Sequence, residues 1–385
     1  MVETAMISDF LVNPALDRAR PYGAGEREIL SLAAARTARE TIVAWPGYAP
    51  TPLLELTDVA RRLGVAQVLY KHEAHRFGLM SFKALGGAYA VDRVIASRGG
   101  SRGLTVTCAT DGNHGRSVAW GAQRRGVPCV IYVHEHVSKG RIDAIVAFGA
   151  EVRVVAGTYD DAVRASARDA DQNGWIVISD TSWTGYDVIP RDVMQGYALL
   201  AMEYEAQGAK PTHVFVQGGV GGLAAAILSW HWERECAARP RLIIVEPERA
   251  ACLLESARAG RPSTIGGDLA TIMAGLSCGE PSLLAWTLLG PGADAFMSIP
   301  DDVAATAMRD LAQIGIAAGE SGVAGLAGLV ALSSDPARSA ALGLDGTARV
   351  LCLGTEGATD PDVYREIVGR AAESVEPIRH PAQRS

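Results

Sequence analysis

One lysine, Lys83, sits inside the apolar stretch "SFKALGGAYAV" that opens a predicted helix. The chain has only four lysines, at 71, 83, 139 and 210, so nearly all of its 36 basic residues are arginines. An ammonium beside Phe82, Ala84 and Leu85 has two readings. It snorkels, stem on the core and head in water, or it is desolvated and reactive, as Schiff-base chemistry requires. Four other stretches carry chemistry. In "ATDGNHG", residues 109–115, Asp111 and Asn113 stand beside two glycines at a helix start. That is a turn former by default, and an anion-binding N-terminus by its N–H groups. "VFVQGGVGGLAAA" runs strand, four glycines, helix. No Cβ blocks close approach there, and the helix N-terminus favours a phosphate. "ISDTSWTGY" brings Asp180 to the end of a strand, and "LCLGTEGATD" does the same for Thr355. The Thr355 hydroxyl can donate to a ring nitrogen without bringing a charge, or simply cap the last helix.

These stretches all lie where short apolar runs give way to helical ones. Strands are predicted at 66–71, 104–110, 128–133, 151–157, 175–180, 213–217, 241–247 and 348–354. Helices are predicted at 81–97, 114–126, 139–149, 159–174, 191–208 and 360–374. Alternation of this kind argues a mainly parallel sheet with helices on its faces. Nearly all-apolar strands argue burial on both sides. In such sheets ligands bind at the carboxyl ends of the strands, where the five stretches fall. At 385 residues the chain exceeds one small core, so two lobes are expected.

Bulk properties exclude several classes. A net charge of −7 gives no basic face for nucleic acid. No apolar run reaches the roughly 18 residues of a membrane span, and the N-terminus has no secretory apolar segment. A cytoplasmic protein is expected. The six cysteines form no CxxC pair, and "HEH" at 134–136 is weak evidence for a metal, so none is expected. One competing reading is a dinucleotide fingerprint: Gly219, Gly221 and Ala224 match G-x-G-x-x-A, with Glu246 as the ribose acid. It cannot account for Lys83.

Taken in order, Lys83, "ATDGNHG", "QGGVGG" and "GTEG" resemble the fold-type II pyridoxal-phosphate enzymes, the group of tryptophan synthase β and threonine dehydratase. "SDTSWTGY" and "TIMAGLSCGEP" resemble the diaminopropionate ammonia-lyase branch, and the likeness spans residues 70–370. It implies an α/β fold of two lobes, each a mainly parallel twisted sheet flanked by helices, with the cofactor in the cleft between them. The large, cofactor-binding lobe would comprise 1–84 and 201–385, the small one 85–200. Lys83 would carry pyridoxal 5'-phosphate and Phe82 would lie beside its ring. Asn113 would bond the phenolic oxygen. Gly218, Gly219, Val220, Gly221 and Gly222 would hold the phosphate, and Thr355 would face the ring nitrogen. Asp111 and Asp180 would take the α-proton from D- and L-substrate. Cys252 and Cys278 match positions that pair as a disulfide in relatives.

The implied activity is β-elimination of a small amino acid, 2,3-diaminopropionate, to pyruvate and ammonia in a homodimer. A serine/threonine-type dehydratase, a β-replacement synthase and a non-catalytic sensor are the alternatives on the same fold. The chain departs from the family pattern at His72, Ala74 and Met80, where Asp, Ser and Asn are usual, and a loss of polar contacts near the lysine is expected. Two physical expectations complete the reading. Apolar neighbours should disfavour the charge on Lys83, and burial against Trp183 or the cofactor should raise the Asp180 carboxyl toward a useful base.

Overall fold

The computed structural model describes residues 6–110 and 112–375, so Asp111 lies outside the described residues. The strands are β1 (Asp9–Val12), β2 (Leu53–Glu55), β3 (Gln67–His72), β4 (Val106–Ala109), β5 (Cys129–His134), β6 (Glu151–Val155), β7 (Ile176–Val177), β8 (His213–Gln217), β9 (Arg241–Pro247), β10 (Ala295–Ile299) and β11 (Arg349–Gly354). Seven form one sheet in the order β1-β10-β9-β8-β11-β3-β2, and four form a second, β6-β5-β4-β7. In the larger sheet the five central strands run parallel, while β1 and β2 are antiparallel edges. The smaller sheet is parallel throughout. Val214–Val216, Leu242–Val245 and Val350–Leu353 are all buried, as strands covered on both faces must be.

Where the structure differs from the sequence reading, the cause is local. The stretch 191–208 is two helices, Val188–Tyr197 and Leu199–Ala206, meeting at Ala198. The strand expected at 175–180 ends at Val177 because a side chain takes over its backbone bonds. The Tyr186 hydroxyl donates to Val177 O at 2.7 Å and accepts from Ser179 N at 3.0 Å. Asp180 is therefore three residues beyond the strand, not at its end. β1, β2 and β10 lack the long β-branched run that marks a strand in sequence.

One apolar core runs from the smaller sheet (Val106, Ile131, Val133) to one face of the larger (Val214, Ile244, Leu351). The helix Ala84–Ser97, which follows Lys83, lies within it with eleven of its residues buried. Its close neighbours are the helices Asn113–Arg125 and Val188–Tyr197. Glycine permits the second approach: a Cβ at Gly196 would lie 2.0 Å from Leu85 O. Among the described residues no helix is long and apolar enough to cross a membrane.

Overpacking at a contact of this kind costs roughly 1–3 kcal/mol. Gly196→Ala is therefore expected to lower the unfolding free energy by that much, seen as a lower urea midpoint, and to push the helix behind Lys83 outward. An unchanged midpoint would contradict the packing described.

Candidate active site

Lys83 reaches the site on a pinned segment. Residues 80–82 run antiparallel to 355–357, through Phe82 N donating to Thr355 O (3.0 Å) and Gly357 N donating to Met80 O (2.9 Å). The lysine then stands at the N-terminal boundary of the helix Ala84–Ser97. Its Nζ donates to Asp180 Oδ2 at 2.5 Å, and the Phe82 and Tyr197 ring centroids lie 5.4 and 5.9 Å away. The two side chains keep 19% and 17% of their surface, so the pair is not sealed inside the core.

The charges are not as the sequence suggested. Burial works against the Lys83 ammonium, but the Asp180 carboxylate outweighs it and holds the amine above the ordinary lysine value. Burial likewise works against Asp180, and the Lys83 ammonium outweighs it, holding the carboxyl below the ordinary range. Trp183 does not bury Asp180. It is 46% exposed and stacks on Tyr186 with centroids 4.1 Å apart. His114 completes the group. Its Nε2 lies 2.8 Å from Ile178 O, and a carbonyl only accepts, so that nitrogen carries the proton. Nδ1 then turns a lone pair toward Asp180 Oδ2 at 3.8 Å. Burial drives the imidazole pKa down, so the ring is neutral.

The glycine stretch joins β8 to the helix Gly222–Glu235. Gly221 has φ +95°, the left-handed region that favours glycine, and a Cβ there would lie 2.9 Å from Leu289 Cδ1. Gly218 N donates to Val245 O and Ser282 N to Val220 O, which fixes the loop from both sides. A Cβ at Gly222 would be 3.9 Å from Asp180 O, so the loop borders the ion pair. Thr355 is buried and its Oγ1 accepts from Gln217 Nε2 at 2.7 Å. That bond leaves the hydroxyl proton unspent. Asn113 Nδ2 donates to Glu356 Oε2. A partly exposed amine, a glycine loop at a helix N-terminus and a hydroxyl with a proton to give fit pyridoxal phosphate.

The family described as "Pyridoxal-phosphate dependent enzyme" matches residues 44–355. Diaminopropionate ammonia-lyase of Escherichia coli K12 is 41% identical over 376 residues, 91% of this chain and 94% of the relative. The chain belongs to the pyridoxal-phosphate dependent enzymes, in their diaminopropionate ammonia-lyase branch. The crystal structure of the Escherichia coli lyase with an aminoacrylate–PLP azomethine reaction intermediate superposes with a TM-score of 0.87 at 40% identity, covering 95% of this chain and 98% of that one. The same lyase in complex with D-serine gives 0.87 at 38% identity, with the same coverage.

Of the departures from the family pattern, Met80 is the one that the backbone itself disfavours. Its φ is +55°, a left-handed backbone that asparagine adopts more readily than methionine. The asparagine usual at this position thus suits the backbone, and the methionine side chain packs on the core under the larger sheet. His72 ends β3 opposite Gly354 with its ring edge-on to His75, and Ala74 lies against Gly357. Cys252 and Cys278 are thiols, not a disulfide, and both flank Gly219. Glu246 is no ribose ligand: its two oxygens accept from Leu253 N and Leu254 N, both at 2.8 Å, at the start of the helix Cys252–Ala259. The sequence reading passed over His114 and Gln217, which stand next to the singled-out Asn113 and Gly218. It also missed the trio Glu205, His231 and Glu235, whose possible ligand atoms lie within 4.8 Å of one another. Those atoms are spent on each other and on Arg234 and Tyr204.

Because Lys83 holds the Asp180 carboxyl down, Asp180 adds stability above the ordinary carboxylate pKa, and that stability is lost as pH falls through the depressed value. In Lys83→Met the carboxyl should rise past its ordinary value and this acid-side loss should disappear. A carbon-13 carboxyl titration reads it directly. An Asp180 that stays low without Lys83 would contradict the assignment.

Proposed function

We propose that the chain catalyses β-elimination of ammonia from 2,3-diaminopropionate, with pyridoxal 5'-phosphate as cofactor, to give pyruvate and two ammonia molecules. The observation that carries this reading is the Lys83–Asp180 contact beside the glycine loop, an amine and a base in one cleft. Lys83 would hold the cofactor covalently, with Phe82 beside its ring. The loop of Gly218, Gly219, Val220, Gly221 and Gly222 would bind the phosphate, Asn113 the phenolic oxygen, and Thr355 the ring nitrogen. When bound, pyridoxal phosphate supplies an electron sink for the pair left as the α-proton departs.

Asp180 takes that proton from the L-substrate. The α-C–H bond breaks, the proton goes to the carboxylate, and the Cβ–N bond breaks with its electron pair leaving on ammonia. Neutral His114 offers its Nδ1 lone pair toward the carboxyl that now carries the proton. Hydrolysis of the released enamine in water yields pyruvate and the second ammonia. Asp111 is assigned to the D-substrate by the family resemblance. The same reading takes 1–84 with 201–385 as the cofactor-binding lobe and 85–200 as the smaller lobe, in a cytoplasmic homodimer.

Keto-acid release from D- and L-diaminopropionate, serine and threonine tests the substrate. Diaminopropionate should be turned over fastest, and serine or threonine in first place would make the protein a dehydratase. Asp180→Asn keeps shape and removes basicity, so turnover of the L-isomer should fall about 100-fold or more in kcat while the D-isomer is retained. Equal loss of both isomers would contradict the assignment of Asp180.

A further inference from the structure

Three carboxylates are buried together beside the segment that delivers Lys83. Glu320 is 1% exposed, and Glu356 and Asp360 are each 4% exposed. Glu356 follows Thr355 directly, and its main chain pairs with Ser81, two residues before Lys83. Its oxygens accept from Ser321 N at 2.9 Å and from the Asn113 amide, both neutral donors. Asp360 caps the helix Pro361–Val368 through Val363 N and accepts from Ser138 Oγ at 2.7 Å. Among the described residues, the cation paired with this cluster is Arg141. Its Nη2 donates to Glu320 Oε1 at 2.7 Å and its Nε lies 3.6 Å from Asp360 Oδ2.

One guanidinium cannot balance three carboxylates out of water. The strain falls on Glu320, whose second oxygen, Oε2, is buried with no hydrogen-bond partner. Burial and the neighbouring Glu356 charge push its carboxyl well above the ordinary glutamate value. An orphaned buried acceptor beside a second carboxylate suits a small cation with several N–H donors. The substrate class named above carries one. Diaminopropionate has an ammonium on its β-carbon, and serine has a neutral hydroxyl there.

We propose that Glu320 and Glu356 form the subsite for the β-ammonium of diaminopropionate and set the preference for a diamine over a hydroxy amino acid. The inference rests on the diaminopropionate reading. Pairing keeps the leaving nitrogen protonated, so it departs as neutral ammonia without needing a further acid. Glu356 also contacts Asn113, so the subsite ties the leaving group to the residue expected at the cofactor's phenolic oxygen.

The test is Glu320→Gln in the cofactor-loaded enzyme, with Glu356→Gln as an independent second variant. Glutamine has the shape of glutamate and its amide oxygen can still accept from Arg141, so the fold is kept. kcat/KM is measured for diaminopropionate and for serine. The affinity for 2,4-diaminobutyrate, which has a distal ammonium but no β-amino leaving group, is measured by inhibition with alanine as the comparison. Loss of a charged hydrogen bond predicts a fall of about 10- to 100-fold for diaminopropionate, mostly in KM. Serine should change less than about threefold, on the scale of a neutral contact. Binding of 2,4-diaminobutyrate should weaken while that of alanine holds. Equal losses for both substrates, or an unchanged ratio in both variants, would overturn the subsite while leaving the lyase reading intact. A wild-type enzyme that releases no pyruvate from diaminopropionate would overturn both.

Discussion

The Lys83 ammonium and the Asp180 carboxylate touch at 2.5 Å with less than a fifth of either side chain exposed, and neither charge is tolerable there without the other. They come from different parts of the chain, 97 residues apart. Lys83 is delivered by a segment pinned to 355–357, beside the end of β11. Asp180 is delivered by the turn that Tyr186 pulls out of the smaller sheet. The core that runs continuously between the two sheets, closed by the tight contact at Gly196, fixes their meeting.

Burial alone does not mark the reactive lysine. Lys71 is more deeply enclosed than Lys83, with none of its side chain exposed. All its donors are used, by Thr51 O, Glu203 Oε2 and Gln207 Oε1 at 2.7–3.0 Å. Beside it, Arg76 binds Glu73 and Glu203 in turn, so two cations meet two carboxylates in a closed network. That network anchors the Glu73–Gly78 turn that leads to the Lys83 segment. Lys83 has one carboxylate, two aromatic rings and a partly exposed side chain. An amine with spare donors and a removable counter-charge can be recruited to chemistry; one locked in a balanced network cannot.

Much of the frame was legible because β8, β9 and β11 are buried on both faces and read as unbroken apolar runs. β1 and β2 were not, being short strands at opposite edges of the sheet, and nor was β10, which lies next to β1 and lacks a β-branched run. The glycine loop, Lys83 and Asp180 were legible from local chemistry. Their charge states were not. Phe82, Ala84 and Leu85 argued for a neutral amine, and the deciding group lies far along the chain. Glu320 and Glu356 escaped notice for the same reason. Their partners Arg141 and Asn113 are 179 and 243 residues away, and no sequence period brings such groups together. Met80 adds a feature that the sequence alone does not show, a left-handed backbone that the usual asparagine would adopt more readily.

The central claim is that Lys83, of the four lysines, is the one that carries the cofactor. Borohydride reduction of the protein loaded with pyridoxal phosphate converts a lysine–cofactor imine into a stable amine, and peptide mapping then locates it. The account predicts the cofactor's mass on the peptide containing Lys83, stoichiometric with the chain, and none on peptides containing Lys71, Lys139 or Lys210. Label on any of those three, or an unlabelled Lys83, would contradict it.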